Sequence, residues 1–325
     1  MLNNIPSALI TGISGQDGSY LAELLLTQDY QVIGTTRDIE RTKVNLPVPL
    51  KDRVKLVEWD FLDQQQIFNI VEDNQLTEIY NFSAYSSGSG MFDDPIGISK
   101  VNGLAVTMIL EAIRTIDPSI HFCQASSSEL FGMVDVSPQS ETTSFKPRSP
   151  YGAAKLYAHT MIDIYRQRYG LFACSAILYN HESPRRGLDF VTRKITHGAA
   201  KIKLGLTKEL NLGNLEARRD WGYAADYVRA MFLMTKHIEA GDYVIATGQT
   251  KSVRELCETT FNYLGLNYLD YVHEDKSAYR PAESYQLVGN ADKAKQVLGW
   301  EPEIDFQNLI HMMVAADLQL LSSNT

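Results

Sequence analysis

The chain has 325 residues, enough for one large domain or two interlocked ones, and its 44% apolar and 21% charged composition, with 21 glycines and 11 prolines, excludes collagen-like, low-complexity and largely disordered readings. A net charge of −9 works against general attraction to nucleic acid, so an anionic ligand has to be held by a local cluster of basic residues. Cys123, Cys174 and Cys257 lie in apolar surroundings with no paired spacing and read as reduced core thiols rather than a disulfide framework or zinc site.

The first apolar run, Ser7–Thr11, lacks the basic end and long apolar stretch of a secretory leader. No run approaches a membrane span, so the chain is expected in the cytoplasm, with neither membrane nor nucleic acid as partner. Ser7–Thr11 leads into Gly-x-x-Gly-x-x-Gly at Gly12, Gly15 and Gly18, followed by the helical pattern Ser19–Leu26, which predicts a strand, a glycine turn and a helix. A second strand is expected at Tyr30–Gly34. Further apolar runs at Val54–Val57, Glu78–Phe82, His121–Gln124 and Ala173–Leu178 alternate with helical stretches such as Val101–Arg114. This alternation predicts an α/β fold, a doubly wound parallel sheet covered by helices on both faces. After Tyr179 the texture turns polar and Arg-rich through Trp221. The helical Ala224–His237 and the strand-like Tyr243–Thr247 then return to the sheet, and the remainder from Ser252 mixes helices with short extended pieces. The expected division is a cofactor-binding domain of residues 1–180 plus 222–250, and a smaller α/β substrate lobe of residues 181–221 plus 251–325.

A glycine fingerprint that follows a strand and opens a helix is a dinucleotide site in its proper context. Gly12 permits the tight turn and Gly15 lets backbone N–H groups approach a pyrophosphate. Gln16, Asp17 and Gly18 open the helix, whose N-terminus carries about half a positive charge. At the end of the second strand an acid would accept the 2′-hydroxyl of NAD and an arginine would pair with the 2′-phosphate of NADP. The chain offers Arg37 and then Asp38, with Arg41 nearby, so NADP is expected and NAD is the alternative. Asp60, after the third strand, is placed either to accept from the adenine amino group or to cap the next helix.

The strand His121–Gln124 runs into Ala125-Ser-Ser-Ser-Glu129, and Tyr151 and Lys155 follow at an i, i+4 spacing that puts them on one helix face. A tyrosine of pKa near 10 serves as a base at neutral pH only if its phenolate is favoured, and a shift of about three units needs about 4 kcal/mol, the order a close ammonium supplies in a partly dry cleft. Lys155 is the expected cation. Ser127 is placed to hydrogen-bond the same substrate oxygen.

Together, the glycine turn, the serines and Tyr151-x-x-x-Lys155 are similar to the short-chain dehydrogenase/reductase architecture in its extended, Rossmann-type form. The resemblance goes further. Thr11–Glu23, Gln124–Gly132, Pro147–Lys155, Asn180–Gly187, Val191–Lys194, Arg219–Gly222, Tyr243–Gly248, Ser252–Glu255 and Arg280–Glu283 closely resemble the GDP-mannose 4,6-dehydratase family, over nearly the whole chain. That resemblance implies a redox-neutral lyase reaction on a nucleotide sugar, GDP-mannose first among candidates. Tyr151, with Ser127 and Lys155, removes the C4 hydroxyl proton as hydride passes to NADP. Glu129 then removes the C5 proton, and water leaves from C6 with help from Glu129 or Ser128. An oxidising or epimerising enzyme needs the Ser–Tyr–Lys part and has no need of this eliminating carboxylate. The resemblance also implies cofactor contacts from Tyr151, Lys155, His181 and Arg185, and substrate contacts from Ser86, Ser128, Asn180, Val191, Lys194, Arg219, Arg280 and Glu283. Arg185, Arg186, Lys194, Arg218, Arg219 and Arg280 concentrate the positive charge that a diphosphate requires. Of the neighbours Arg218 and Arg219, only one can face a single ligand.

The seven histidines show no metal-ligand spacing and the reaction needs no metal. The chain departs from the family pattern at Ser127, where threonine is usual, at Lys100, where an acid is common, and in Asn81–Phe92, where Tyr85 replaces a small amide beside the expected cofactor and hexose. Altered sugar specificity follows as an expectation. The competing readings are a reductase, an epimerase, a bifunctional dehydratase/reductase, or a non-catalytic NADP-binding sensor. A homodimer or homotetramer is expected, with Arg37–Pro49 reaching a neighbour's cofactor.

Overall fold

A computed structural model describes residues 5–85, 92–133, 135–275 and 286–323. In chain order, β1 (Ser7–Thr11), α1 (Gln16–Thr27), β2 (Gln31–Thr36), α2 (Ile39–Asn45), β3 (Val54–Glu58), α3 (Gln64–Asp73) and β4 (Glu78–Asn81) alternate, followed by α4 (Pro95–Ser99), α5 (Ala105–Ile116), β5 (His121–Ala125), α6 (Pro150–Tyr169) and β6 (Ala173–Leu178). The remainder holds β7 (Asn180–Glu182), α7 (Val191–Lys203), β8 (Leu210–Leu212), β9 (Arg218–Arg219), β10 (Trp221–Tyr223), α8 (Ala224–Lys236), β11 (Asp242–Ile245), β12 (Lys251–Ser252), α9 (Val253–Tyr263), β13 (Val272–Glu274), α10 (Asp292–Leu298) and α11 (Phe306–Ser322).

Seven strands form one parallel sheet in the order β11-β6-β5-β4-β1-β2-β3. The order reverses between β1 and β4, and the crevice at the C-terminal ends of strands flanking such a reversal is where doubly wound folds bind ligands. Because successive strand side chains point to opposite faces, Ala8 and Ile10 join one buried cluster with Leu21 and Leu25 of α1 and Met231 and Met234 of α8. Leu9 joins the other, with Ile67 of α3, Ile109 and Ile113 of α5 and Ile162 of α6. Burial on both faces explains why the strands read as continuous apolar runs. The helices start where the sequence supplies caps: Asp38 for α2, Asp63 for α3, Ser149 followed by Pro150 for α6, and a reciprocal Ser252–Glu255 pair for α9.

The helical stretch Pro95–Ile116 exceeds the expectation that no run could span a bilayer: it has 22 residues, and an 18-residue window within it has a mean hydropathy of 1.5, enough by length and composition. Its apolarity has a different cause. Val106, Ile109, Leu110 and Ile113 are fully buried against the sheet and its neighbouring helices, which makes it a core helix.

A third cluster lies apart from the sheet and joins Ile195 and Ile202 of α7, Leu256 and Phe261 of α9, and Leu309, Met313 and Val314 of α11. Its polar seam is a buried pair: Arg193 of α7 reaches Asp317 of α11 at 2.6 Å and also donates to the carbonyls of Pro184 and Arg186. The segment with α10, assigned to the second lobe by sequence, returns instead to the sheet, where Ala294 and Trp300 join the cluster on the α1–α8 face and the Trp300 indole donates to the Asp226 carbonyl at 2.8 Å. All three cysteines are free and buried.

Candidate active site

The glycine turn is built as a cradle. Gly12 has φ +69, in the left-handed region that glycine enters without strain, and a Cβ there would lie 3.2 Å from the Ser83 amide nitrogen. At Gly18 a Cβ would collide with the Gly12 carbonyl oxygen, so α1 can pass this close to the turn only without a side chain. Gly15 caps α1 with no side-chain acceptor, which leaves the amides of its first turn to a ligand. These features fit a dinucleotide pyrophosphate.

A polar ladder ties this turn to the far side of the cleft. Thr11 donates to Asn81 Oδ1 and accepts the amides of Phe82 and Ser83, Asn81 donates to Gln124 Oε1 at 2.7 Å, and Gln124 donates to the Ala125 carbonyl at 2.7 Å. Lys155 donates to that same carbonyl at 2.8 Å. The strand ends of β1, β4 and β5 are thereby locked in register with the lysine of α6.

Ser127 sits at the centre of the expected catalytic group. Its hydroxyl lies beside the Tyr151 phenol, whose ionisation it favours, and accepts the Glu129 amide at 3.2 Å. Glu129 starts a short turn whose following segment is zipped to residues 145–149, since Lys146 donates to the Leu130 carbonyl and Met133 to the Lys146 carbonyl, both at 3.0 Å. One Glu129 carboxylate oxygen is buried without a hydrogen bond, and the Arg148 guanidinium stands 3.6 Å from it. Ser128 is buried beside them, and the hydroxyls of Ser83 and Ser126, at the ends of β4 and β5, are also buried without partners.

The electrostatics depart from the sequence expectation in one respect. Burial pushes the Tyr151 phenol up to about 12, against the Ser127 hydrogen bond, while the Glu129 charge pushes upward and Arg186 downward. Lys155, whose ammonium lies 5.8 Å from the Tyr151 ring centre, is itself brought down to about 8 by burial, against the pull of Asp17. The expected lowering of the phenol by Lys155 is therefore absent from the chain alone: removing both groups from water outweighs their attraction. Arg186, which sequence reasoning placed only in a general basic cluster, is the cation that favours the phenolate. It is held by Glu182 at 3.2 Å and stacks on Phe190.

Gln16, Asp17, His181 and Arg185 link α1 to β7. Gln16 donates to the His181 carbonyl and accepts from Ser183, and Asp17 meets His181 Nε2 at 2.8 Å while His181 Nδ1 meets the Tyr179 carbonyl at 2.7 Å. Both ring nitrogens face acceptors, so the ring is held as an imidazolium. Its pKa is raised: burial opposes the charge, and Asp17 more than compensates. Arg185 pairs with Glu23 at 2.6 Å, donates to Ser19 and covers the Tyr20 ring.

At the adenosine end, Asp38 is committed to capping α2, accepting the Arg41 amide at 2.9 Å. Arg37 is exposed at the end of β2 and makes no ion pair among the described residues; its guanidinium lies 6.0 Å from the Phe61 ring. Asp60 accepts the Leu62 amide at 3.2 Å, and the cap of α3 is Asp63, so the capping alternative passes from Asp60 to its neighbour.

On the lobe side, Asn180 begins β7, which pairs with β10, and Val191 and Lys194 are exposed on the first turns of α7. Lys194 lines a groove of 540 Å³ with Leu188, His197, Lys201, Leu206 and Leu210. Arg218 is committed to Thr250 and Glu255, whereas Arg219 donates to the Arg218 carbonyl at 2.6 Å. Asp220 beside it accepts from Thr247, Gly248 and Gly289 and so fixes the loops that flank the lobe. Tyr85 is exposed, with its backbone clamped by Asn102, and Lys100 is exposed on the turn joining α4 to α5. Ser86, Arg280 and Glu283 lie outside the described residues.

Comparison with known proteins gives the same reading. A family model described as GDP-mannose 4,6 dehydratase matches residues 9–313. GDP-mannose 4,6 dehydratase 2 of Arabidopsis thaliana is 46% identical, with 96% of this chain and 87% of that protein aligned. The Homo sapiens GDP-mannose 4,6 dehydratase is 44% identical over 98% of this chain and 92% of its own. Among solved structures, a UDP-glucose 4-epimerase from Thermotoga maritima superposes with a TM-score of 0.85 at 23% identity, over 97% of this chain and 99% of that one. With a family match over most of its length and a cleft that brings a serine, a tyrosine, a lysine and a carboxylate beside a dinucleotide cradle, the chain belongs to the GDP-mannose 4,6-dehydratase family of extended short-chain dehydrogenases/reductases.

Proposed function

We propose that the protein converts GDP-mannose to its 4-keto-6-deoxy derivative with an internally recycled NADP. The observation that carries this reading is the Ser127 hydroxyl, which lies beside the Tyr151 phenol and accepts the Glu129 amide. It brings the groups for hydride removal and for elimination to one end of the sheet. A plain epimerase or reductase has no use for a buried carboxylate oxygen without a hydrogen bond, and a sensor that only binds the cofactor has no need of a poised phenol.

When bound, the nicotinamide supplies the hydride acceptor for C4, the hydride donor for C6 and, oxidised, a positive charge beside the phenol. Ser127 holds the C4 oxygen and Tyr151 takes its proton. The phenol, at about 12 in the chain alone, has to be ionised to do so; Arg186 favours its phenolate, and the positive charge of an oxidised nicotinamide would add to that. The 4-ketone acidifies C5, Glu129 takes the C5 proton, and the C6 hydroxyl leaves as water, protonated by Glu129 or Ser128. Asn180, Val191, Lys194 and Arg219, with Ser86, Arg280 and Glu283 from the family match, hold the nucleotide sugar. Gly12, Gly15, Gln16, Asp17, Gly18, Asp60, His181 and Arg185 belong to the cofactor side. Two lobes, one per ligand, and a homodimer or homotetramer in the cytoplasm complete the proposal. Val44 and Val48, exposed on the segment expected to reach a neighbour, support the assembly.

Purified protein with GDP-mannose should form the keto sugar without net NADPH consumption. Stoichiometric NADPH loss with a supplied 4-keto sugar would instead mark a reductase, and tight cofactor binding without turnover a sensor. The preference for NADP rests on Arg37 being unpaired while Asp38 caps a helix. Arg37→Ala should weaken NADP binding by about 10- to 100-fold, the worth of a charged hydrogen bond, and leave NAD binding nearly unchanged. Isothermal titration with each cofactor checks this, and an equal loss for both would remove Arg37 from the 2′-phosphate site.

A further inference from the structure

We infer that Arg148 is a positioning residue for the elimination step, holding the Glu129 carboxylate aimed while leaving its oxygen free to take a proton. The inference rests on the dehydratase reading and assigns a role to a side chain which that reading leaves idle. Three observations carry it. The Arg148 Nε stands 3.6 Å from Glu129 Oε2, inside ion-pair range and beyond hydrogen-bond length, and that oxygen has no hydrogen bond. Neither side chain is freely exposed, at 28% and 17%, so the attraction is less screened than at an open surface. The pair is also built into the backbone: the main-chain bonds of Lys146 and Met133 hold the two segments together, and a Cβ at Gly152 would lie 2.7 Å from the Glu129 carbonyl oxygen, so the start of α6 closes down on Glu129.

The geometry suits a base that must become an acid. A hydrogen-bonded arginine would occupy the lone pair that has to take the C5 proton, whereas a guanidinium at this distance orients the carboxylate and leaves the lone pair available. As Glu129 takes that proton, the C5–H electron pair becomes the C5–C6 π bond. The C6–O bond breaks, its pair leaves with oxygen, and the proton returned by Glu129 completes water. Nothing is oxidised or reduced in this step. Among the described residues, Ser127 accepts the Glu129 amide and Tyr151 feels the Glu129 charge, and both serve the earlier hydride step.

Arg148→Gln and Arg148→Lys, each compared with wild type in the NADP-loaded enzyme, test the role. Two steps are followed: reduced-cofactor fluorescence on mixing with GDP-mannose, which reads hydride removal, and uptake of solvent deuterium at C5, which reads Glu129. Arg148→Gln should slow C5 exchange and net dehydration by about 10- to 100-fold, with hydride removal and the KM for GDP-mannose within about twofold of wild type, and Arg148→Lys should recover most of the loss. A proportional fall in both steps, a rise in KM alone, or no effect would overturn it. Wild-type enzyme that neither reduces its cofactor nor exchanges C5 on mixing with GDP-mannose would instead sink the dehydratase reading, and this inference with it.

Discussion

Glutamine at position 129 should abolish net dehydration, by roughly 10²- to 10⁴-fold, the usual worth of a positioned acid–base group, while the sugar still reduces the bound cofactor. The amide is close to isosteric, so the turn after β5 and its bonds to residues 145–149 persist, but it has no basic oxygen for the C5 proton. The carboxylate is also one of the charges that pushes the Tyr151 phenol upward. Its removal should ease ionisation of Tyr151, and hydride removal should be no slower than in wild type. A stopped-flow trace with a normal rise in reduced-cofactor fluorescence, followed by no 4-keto-6-deoxy product, is the expected signature. Wild-type product formation would refute the role of Glu129 and move the chain toward the epimerase or reductase reading.

The second large effect is in pH. Burial brings Lys155 down to about 8 in the folded chain, from 10.5. The sign for stability follows from linkage: the unfolded chain binds this proton more tightly, so the contribution of Lys155 to stability rises as pH climbs from about 8 toward 10.5. If the charged lysine is needed to orient substrate and cofactor, activity moves the opposite way. The kcat/KM for GDP-mannose should fall about tenfold per pH unit above roughly 8, with no parallel loss of structure by circular dichroism. Arginine remains charged across this range, so Lys155→Arg should lower the plateau by about 100-fold and remove that limb. A limb that stays in place in the arginine variant would assign it to another group.

The sequence exposes what is local or periodic. The seven strands are legible because burial on both faces makes each a short apolar run, and the cradle because Gly12, Gly15 and Gly18 sit between a strand and a helix. Ser127, Glu129, Tyr151 and Lys155 are legible because two contiguous segments carry all four. What stays hidden depends on distant segments meeting or on the balance of opposing energies. No spacing announces that Arg148 will face Glu129, because main-chain bonds between two loops make that contact. Asp17 and His181 each look like separate ligand contacts until β7 returns to the first turn of α1. The upward shift of Tyr151 is set by the depth of the cleft, which residue types do not reveal, and the same blindness credits Lys155 with a charge effect that burial cancels. The apolar stretch Pro95–Ile116 shows the reverse error, since what covers a helix is also absent from its sequence.

The central claim is that one hydride leaves C4 and returns to C6 within a single turnover while Glu129 handles the proton at C5. The most direct measurement is turnover of GDP-mannose carrying deuterium at C4, with the product read by NMR. Deuterium at C6 and a solvent-derived hydrogen at C5 are the predicted result. Deuterium that stays at C4, passes into water or collects on released cofactor would contradict it.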